Sequence, residues 1–145
     1  MTNISPLRAF FAENKIKQEN VFYVASKSFI DENGEPIKWE LKSIDNETDE
    51  ALRNECMRKV QVPGRRNAYA PEMDMAKYLG KLAAACTVFP NLNDKELQDS
   101  YHVMCADALL KKMLSAGEYG DYILKVQEVN GYDRDQNELV EEAKN

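Results

Sequence analysis

The 145-residue sequence predicts an α+β fold, with an N-terminal antiparallel β-hairpin packed on a mainly helical C-terminal part. Three observations carry this expectation. β-Branched and aromatic residues cluster between positions 21 and 43 around an Asn-Gly turn, which reads as two paired strands. From Asp74 to Asp133 apolar residues recur three and four positions apart and are punctuated by capping residues, which reads as a series of core-facing helices. Composition is that of an ordinary globular protein, 43% hydrophobic and 30% charged. A chain of this size buries roughly 70% of its unfolded surface, enough for one core without a disulfide or metal staple. Residues 1–132 are therefore expected to form a single domain.

Ser5 and Pro6 are expected to open a short helix, since serine can accept a bond from a free N–H and proline suits the first helical position. Leu7, Phe10 and Phe11 then share one face, which must be covered by the rest of the domain or by a partner. Residues 21–30 read as a strand, Asp31 to Pro36 as a turn, and Ile37, Trp39 and Leu41 alternate with Lys38, Glu40 and Lys42 as a half-buried strand. A lone hairpin is marginal in water, so its apolar face should pack on helices or on a third strand. Val60-Gln61-Val62 is the candidate for that strand.

Asn46 and Asp49 are expected to start a helix running to about Lys59, with Leu52 and Cys56 inward. Arg58, Lys59, Arg65 and Arg66 then form a basic loop, read either as a solvated connector or as a contact for an acidic partner or RNA. Pro71 is expected to open a long helix in which Met75, Tyr78, Leu79, Leu82, Cys86 and Phe89 face the core, ending at Pro90. Asn93 with Glu96, and Ser115 with Glu118, look like capping pairs. Residues 103–114 form the intervening helix, and Tyr119, Tyr122, Ile123, Val126 and Val129 stripe the last one, closed by Asn130-Gly131. Residues 133–145 carry five acids against two bases and read as an acidic tail that frays.

Several function classes find no support. His102 is the only histidine, so a Ser/His or Cys/His site would have to use it, and a surface role is the simpler reading. The six glycines make neither a phosphate loop nor a dinucleotide fingerprint. Asp31, Glu32, Asn33 and Glu35 lack the ligand spacing of a calcium loop and fit a hairpin turn. Three widely spaced cysteines suggest reduced thiols, with Cys86 and Cys105 as small core residues. Met75 and Met113 are also read as core. The expectation is therefore no catalytic residue, no cofactor and no metal. A net charge of -6 argues against nucleic-acid binding. No apolar run approaches the ~18 residues of a membrane span, and no signal-peptide pattern opens the chain, so a cytoplasmic location is expected.

Taken together and in order, LRAFFAEN, GEPIKWELKSI, LRNECMRKV, MAKYLGKLAAACTVFPNLNDKELQDSY, ADALLKKML and GEYGDYILKVQEVNGYD resemble the XkdN-like phage tail assembly chaperones. The resemblance covers nearly the whole chain, from about Leu7 to Asp133, and departs from the pattern at His102 and Cys105, where smaller residues such as glycine are expected. It implies a protein of phages and prophages of Gram-positive bacteria that binds the long, apolar tape measure protein and keeps it soluble during tail morphogenesis. It further implies a host-cell protein absent from the mature virion and a longer frameshifted form of itself as a second partner; self-association is an expectation that rests on the apolar residues alone. Leu7, Phe10 and Phe11, or the edge made by Leu110, Met113 and Leu114, are the expected contact residues. The competing readings are a minor structural tail protein and, less favoured, a small nucleic-acid-binding regulator.

Overall fold

A computed structural model describes residues 6–132 of the chain. Ser5 and the acidic segment 133–145 lie outside these residues. Among them the α+β architecture holds: a small antiparallel sheet, a separate β-ribbon and a set of helices gathered around one central helix.

β1 (Val21–Tyr23) pairs antiparallel with β2 (Trp39–Leu41), setting Val21 opposite Leu41 and Tyr23 opposite Trp39. This is the expected hairpin, but its ladder is short. Ile30 and Pro36 form an isolated bridge, and the Asp31 carboxylate caps the turn by accepting from the amides of Asn33 at 2.8 Å and Glu35 at 3.0 Å. Gly34 sits at φ 80°, a conformation that other residues reach only with strain. The alternation of β2 is real: Trp39 and Leu41 are buried and Glu40 lies between them half-exposed.

α1 (Asn46–Glu55) is capped by Asp45, whose side chain accepts from the Thr48 amide at 2.8 Å. It stops four residues short of the expected Lys59, because the chain turns at Cys56 into β3 (Met57–Gln61). The third-strand expectation is corrected here. Val60 and Gln61 do belong to a strand, but β3 pairs with β4 (Tyr69–Met73) as an independent two-stranded ribbon. The third strand of the sheet is instead β5 (Thr87–Phe89), which pairs with β2 across an irregularity at Glu40/Leu41. Pro71 is part of β4 rather than a helix start. A proline is tolerated there because each strand of a two-stranded ribbon has a free edge, where its missing N–H costs no ladder bond.

α2 (Met75–Cys86) begins at an Asp74 cap and ends where the β-formers Thr87-Val88-Phe89 take over. It is the hub, packing against α1, α4 (Ala106–Met113) and α5 (Ala116–Val129). α3 (Lys95–Ser100) is capped by Asp94, one residue beyond the expected Asn93. α4 starts three residues later than expected, after His102 adopts φ 58°. The Ser115/Glu118 capping box is present, and α5 closes as expected: the Gly131 amide reaches Glu128 and the Tyr132 amide reaches Gln127, a Schellman motif with Gly131 at φ 76°.

The core draws on the sheet (Trp39, Leu41), on α2 (Tyr78, Leu82, Ala83, Cys86), on α4 (Leu109, Leu110) and on α5 (Tyr122, Val126, Val129). Trp39 meets the Tyr122 ring edge-to-face, with centroids 5.4 Å apart. The Tyr122 hydroxyl donates to Thr87 Oγ1, whose own proton goes to the Ala83 carbonyl at 2.8 Å. This part-buried polar chain ties the third strand to α2 and α5.

Candidate functional site

Two of the places where apolar residues stay uncovered bear on the expected contact residues. The first is the arm formed by residues 6–20, every one of which is exposed. The expected helix is here two 3-10 turns, Arg8–Phe10 and Ala12–Asn14, held by Asn14 Nδ2 donating to the Arg8 carbonyl at 2.8 Å. Leu7 is 70%, Phe10 85% and Ile16 91% exposed, and Phe11 also reaches solvent. Among the described residues, nothing fully covers the Leu7/Phe10/Phe11 face. Gln18 Nε2 donates to the Val129 carbonyl at 2.9 Å and pins the base of the arm to the end of α5.

The second place is an apolar groove of about 170 Å³ between the sheet and the α3–α4 side, lined by Phe29, Ile37, Phe89, Leu97, Tyr101 and Met113. Its volume is comparable with the ~150 Å³ cavity that takes a benzene-sized group. Trp39 forms its floor and stacks obliquely on Phe29 at 6.3 Å.

The other expected contact edge is not a surface. Leu110 is fully buried and Leu114 nearly so, so both are core anchors, and only Met113 keeps an outer face, as part of the groove. Sequence reasoning passed over Ile16 and the groove. Ile16 stands alone among lysines and carries no periodic signal, and the groove is assembled from four separate stretches of chain.

A buried polar cluster lies elsewhere. Asp49, on α1, accepts from the Tyr78 hydroxyl and from Arg53 Nε at 2.8 Å, while the Arg53 guanidinium lies 4.6 Å from the Tyr78 ring centre. Burial pushes the Asp49 carboxyl up, but hydrogen bonds from Tyr78 and Arg53 outweigh it and hold the group below the ordinary carboxylate value. Burial and the neighbouring Asp49 carboxylate push the Tyr78 phenol well up. Tyr132, at the end of α5, reaches the same cluster, and Arg53 Nη1 lies 4.0 Å from the Met73 sulfur at the end of β4. With each donor matched to an acceptor, this cluster has the form of a structural tie.

His102 is exposed in the linker between α3 and α4. Among the described residues, no group of three or more His, Cys, Asp and Glu side chains could hold a metal ion. No helix among them is long and apolar enough to cross a membrane. Cys56 and Cys86 are buried, and burial raises both thiols, whereas Cys105 is exposed rather than the core residue expected. Met75 is likewise exposed, not core. Of the expected basic loop, Arg65 and Arg66 do lie in the loop that joins β3 to β4, whereas Arg58 and Lys59 belong to β3.

The described residues thus combine helices around a small sheet with an exposed apolar arm and a structural polar cluster. The family model of the phage XkdN-like tail assembly chaperone protein matches residues 7–144, and the chain belongs to that family. Two relatives come from Bacillus subtilis strain 168. The chain is 33% identical over 140 residues to YqbN, covering 96% of this chain and 93% of that one. It is 31% identical over 144 residues to XkdN of the phage-like element PBSX, covering 99% and 96%. The crystal structure of YqbN superposes with a TM-score of 0.74 and 26% identity, over 90% of this chain and all of the other.

Proposed function

We propose that this tail assembly chaperone binds the tape measure protein of its phage or prophage and keeps it soluble until tail-tube subunits polymerise around it. It acts by binding and without catalysis, in the cytoplasm of the host cell, and does not remain in the finished virion. The observation that carries this reading is the exposed arm: Leu7, Phe10, Phe11 and Ile16 present apolar surface that the other described residues leave uncovered. Apolar patches of this kind mark interaction sites. A long apolar client supplies matching side chains, and the groove beside Met113 suits a single aromatic or aliphatic anchor from an amphipathic helix. Binding the client monomer and not its aggregate shifts the equilibrium by mass action, so no reactive group is required.

The test is co-expression with the adjacent tape measure gene, followed by size-exclusion chromatography with light scattering. A soluble complex that forms only when this chain is present is the expected result. The doubly substituted chain Phe10→Ser, Ile16→Ser should fold normally, because exposed positions contribute within about 0.5 kcal/mol, yet lose the client. A tape measure protein that stays insoluble while this chain elutes alone would overturn the reading. Finding this chain at fixed copy number in purified tails, by mass spectrometry, would assign it to the virion as a minor structural protein.

A further inference from the structure

The β3–β4 ribbon carries charge opposite to that of the whole protein. The chain has a net charge of -6, but residues 57–73 hold Arg58, Lys59, Arg65 and Arg66 against Glu72, a formal charge of +3. Arg58 is engaged, 3.9 Å from Glu72 and 3.6 Å from Asp74. Among the described residues, no acid lies within ion-pair distance of Lys59, Arg65 or Arg66. The ribbon is also bare. Eight of its ten strand residues are exposed, the half-buried pair being Val60 and Met73, so its outer edges offer unpaired backbone groups.

The chain beyond α5 has the complementary charge. Asp133, Asp135, Glu138, Glu141 and Glu142 outnumber Arg134 and Lys144, a formal -3 over 13 residues. The end of α5 sets where this segment starts. Tyr132 lies against Asp49 and Arg53, and Arg53 in turn touches Met73 at the base of the ribbon. From Asp49 to the ribbon base at Cys56 is about 11 Å along α1. Thirteen extended residues span about 43 Å, against about 17 Å for a five-residue strand, so the segment reaches the whole ribbon.

We propose that the acidic segment 133–145 docks along the β3–β4 ribbon of its own chain, neutralising Lys59, Arg65 and Arg66 and covering the ribbon's free edge. The tether favours the chain's own segment over that of a second copy, because a short link gives an effective concentration in the mM range. The clasp hides a bare, basic β-edge that would otherwise invite pairing between chains. A competing ligand must displace it before using the ribbon. This inference is independent of the client reading, and neither falls with the other.

The test is amide NMR on the full chain. Wild type is compared with a variant neutralised at the five acids: Asp133→Asn, Asp135→Asn, Glu138→Gln, Glu141→Gln and Glu142→Gln. Amides of residues 57–73 should differ between the two proteins while those of α2 and α5 coincide. Raising salt from about 0.01 M to about 1 M shortens the Debye length from about 30 Å to about 3 Å. That change alone should move the wild-type ribbon amides onto the variant's positions, a readout that needs no mutation. A reversed ribbon (Lys59→Glu, Arg65→Glu, Arg66→Glu) should lose the effect, and Glu138→Lys, Glu141→Lys and Glu142→Lys together should restore it. Ribbon amides that ignore both tail charge and salt would overturn the proposal. So would shifts that vanish on roughly twentyfold dilution, which would assign the contact to a second copy.

Discussion

Replacing Tyr78 by phenylalanine removes one oxygen from the interior and leaves its ring in place. In the native protein that hydroxyl donates to the Asp49 carboxylate and accepts from Arg53 Nη2 at 3.3 Å. Tyr78 is 3% exposed and Asp49 8%, so water offers little replacement. A hydrogen bond to a charged group contributes about 1.5–3 kcal/mol, and a buried acceptor stripped of its donor adds a desolvation cost of similar size. Arg53 Nε, at 2.8 Å, still serves the other carboxylate oxygen and limits the damage to the lower figure plus part of the second. The expected loss near neutral pH is about 1.5–3 kcal/mol, or about 3–12 °C in Tm for a chain of this length. The loss should also depend on pH. Asp49 has a folded-state pKa held below its ordinary 3.8, so its contribution is complete above that value and fades as pH falls through the folded value. Phenylalanine raises the folded-state pKa toward the ordinary one, so the gap between the two proteins should narrow below about pH 4. Urea unfolding followed by far-UV circular dichroism, near pH 7 and near pH 3, measures both quantities. A loss below about 0.5 kcal/mol near neutral pH, or an equal loss at both pH values, would refute the account of the cluster.

Leu82, fully buried on the hub helix, should cost about 3–5 kcal/mol on conversion to alanine in the same urea assay; a cost near 1 kcal/mol would mean that α2 is not the centre of the core. His102→Gly should hold or slightly raise stability, because φ 58° suits glycine, whereas His102→Val should lose about 1–2 kcal/mol; equal stabilities would dispose of the left-handed linker. A thiol reagent should titrate one cysteine, Cys105, in the native protein and all three after unfolding, since Cys56 and Cys86 are buried with raised pKa values. Three thiols reacting together under native conditions would contradict the burial pattern.

Legibility in the sequence followed the length and amphipathicity of each element. α5 reads cleanly, because the Ser115/Glu118 box, the Tyr122/Val126/Val129 stripe and Gly131 each mark the same boundaries. α2 reads well in its middle and poorly at both ends. Pro71 looked like a helix opener and Phe89 fell on the helical stripe, yet Asp74 supplies the cap and Thr87-Val88-Phe89 is a strand. The run of two β-branched residues and an aromatic before Pro90 was the available signal. β3 offered only the valines at its end, which marked Val60 and Gln61 but not the start at Met57: the strand is exposed along almost its whole length, so its residues answer to a backbone ladder rather than to a buried face. The smaller residue expected at His102 has a physical reason visible only in the backbone, where the position takes φ 58°, a conformation that suits glycine.

The two groups expected to make contacts show why periodicity finds faces but not their covers. Leu110 and Leu114 sit on a helix bracketed by α2 and α5, so the fold closes over them and their spacing turns out to be the spacing of a core. Leu7, Phe10 and Phe11 have the same i, i+3, i+4 spacing, but they stay exposed among the described residues, and the arm is tied to the domain further along, where Gln18 donates to the Val129 carbonyl and Asn20 to Glu40. Nothing in either run of residues separates these outcomes, because the cover is supplied by chain distant in sequence. Leaving two or three large apolar side chains in water forfeits about 1.5–3 kcal/mol for each relative to burial. The fold accepts that cost at Leu7, Phe10 and Phe11 while satisfying each buried side-chain polar atom among its described residues, so what sets the two groups apart is the packing of distant chain and not their spacing.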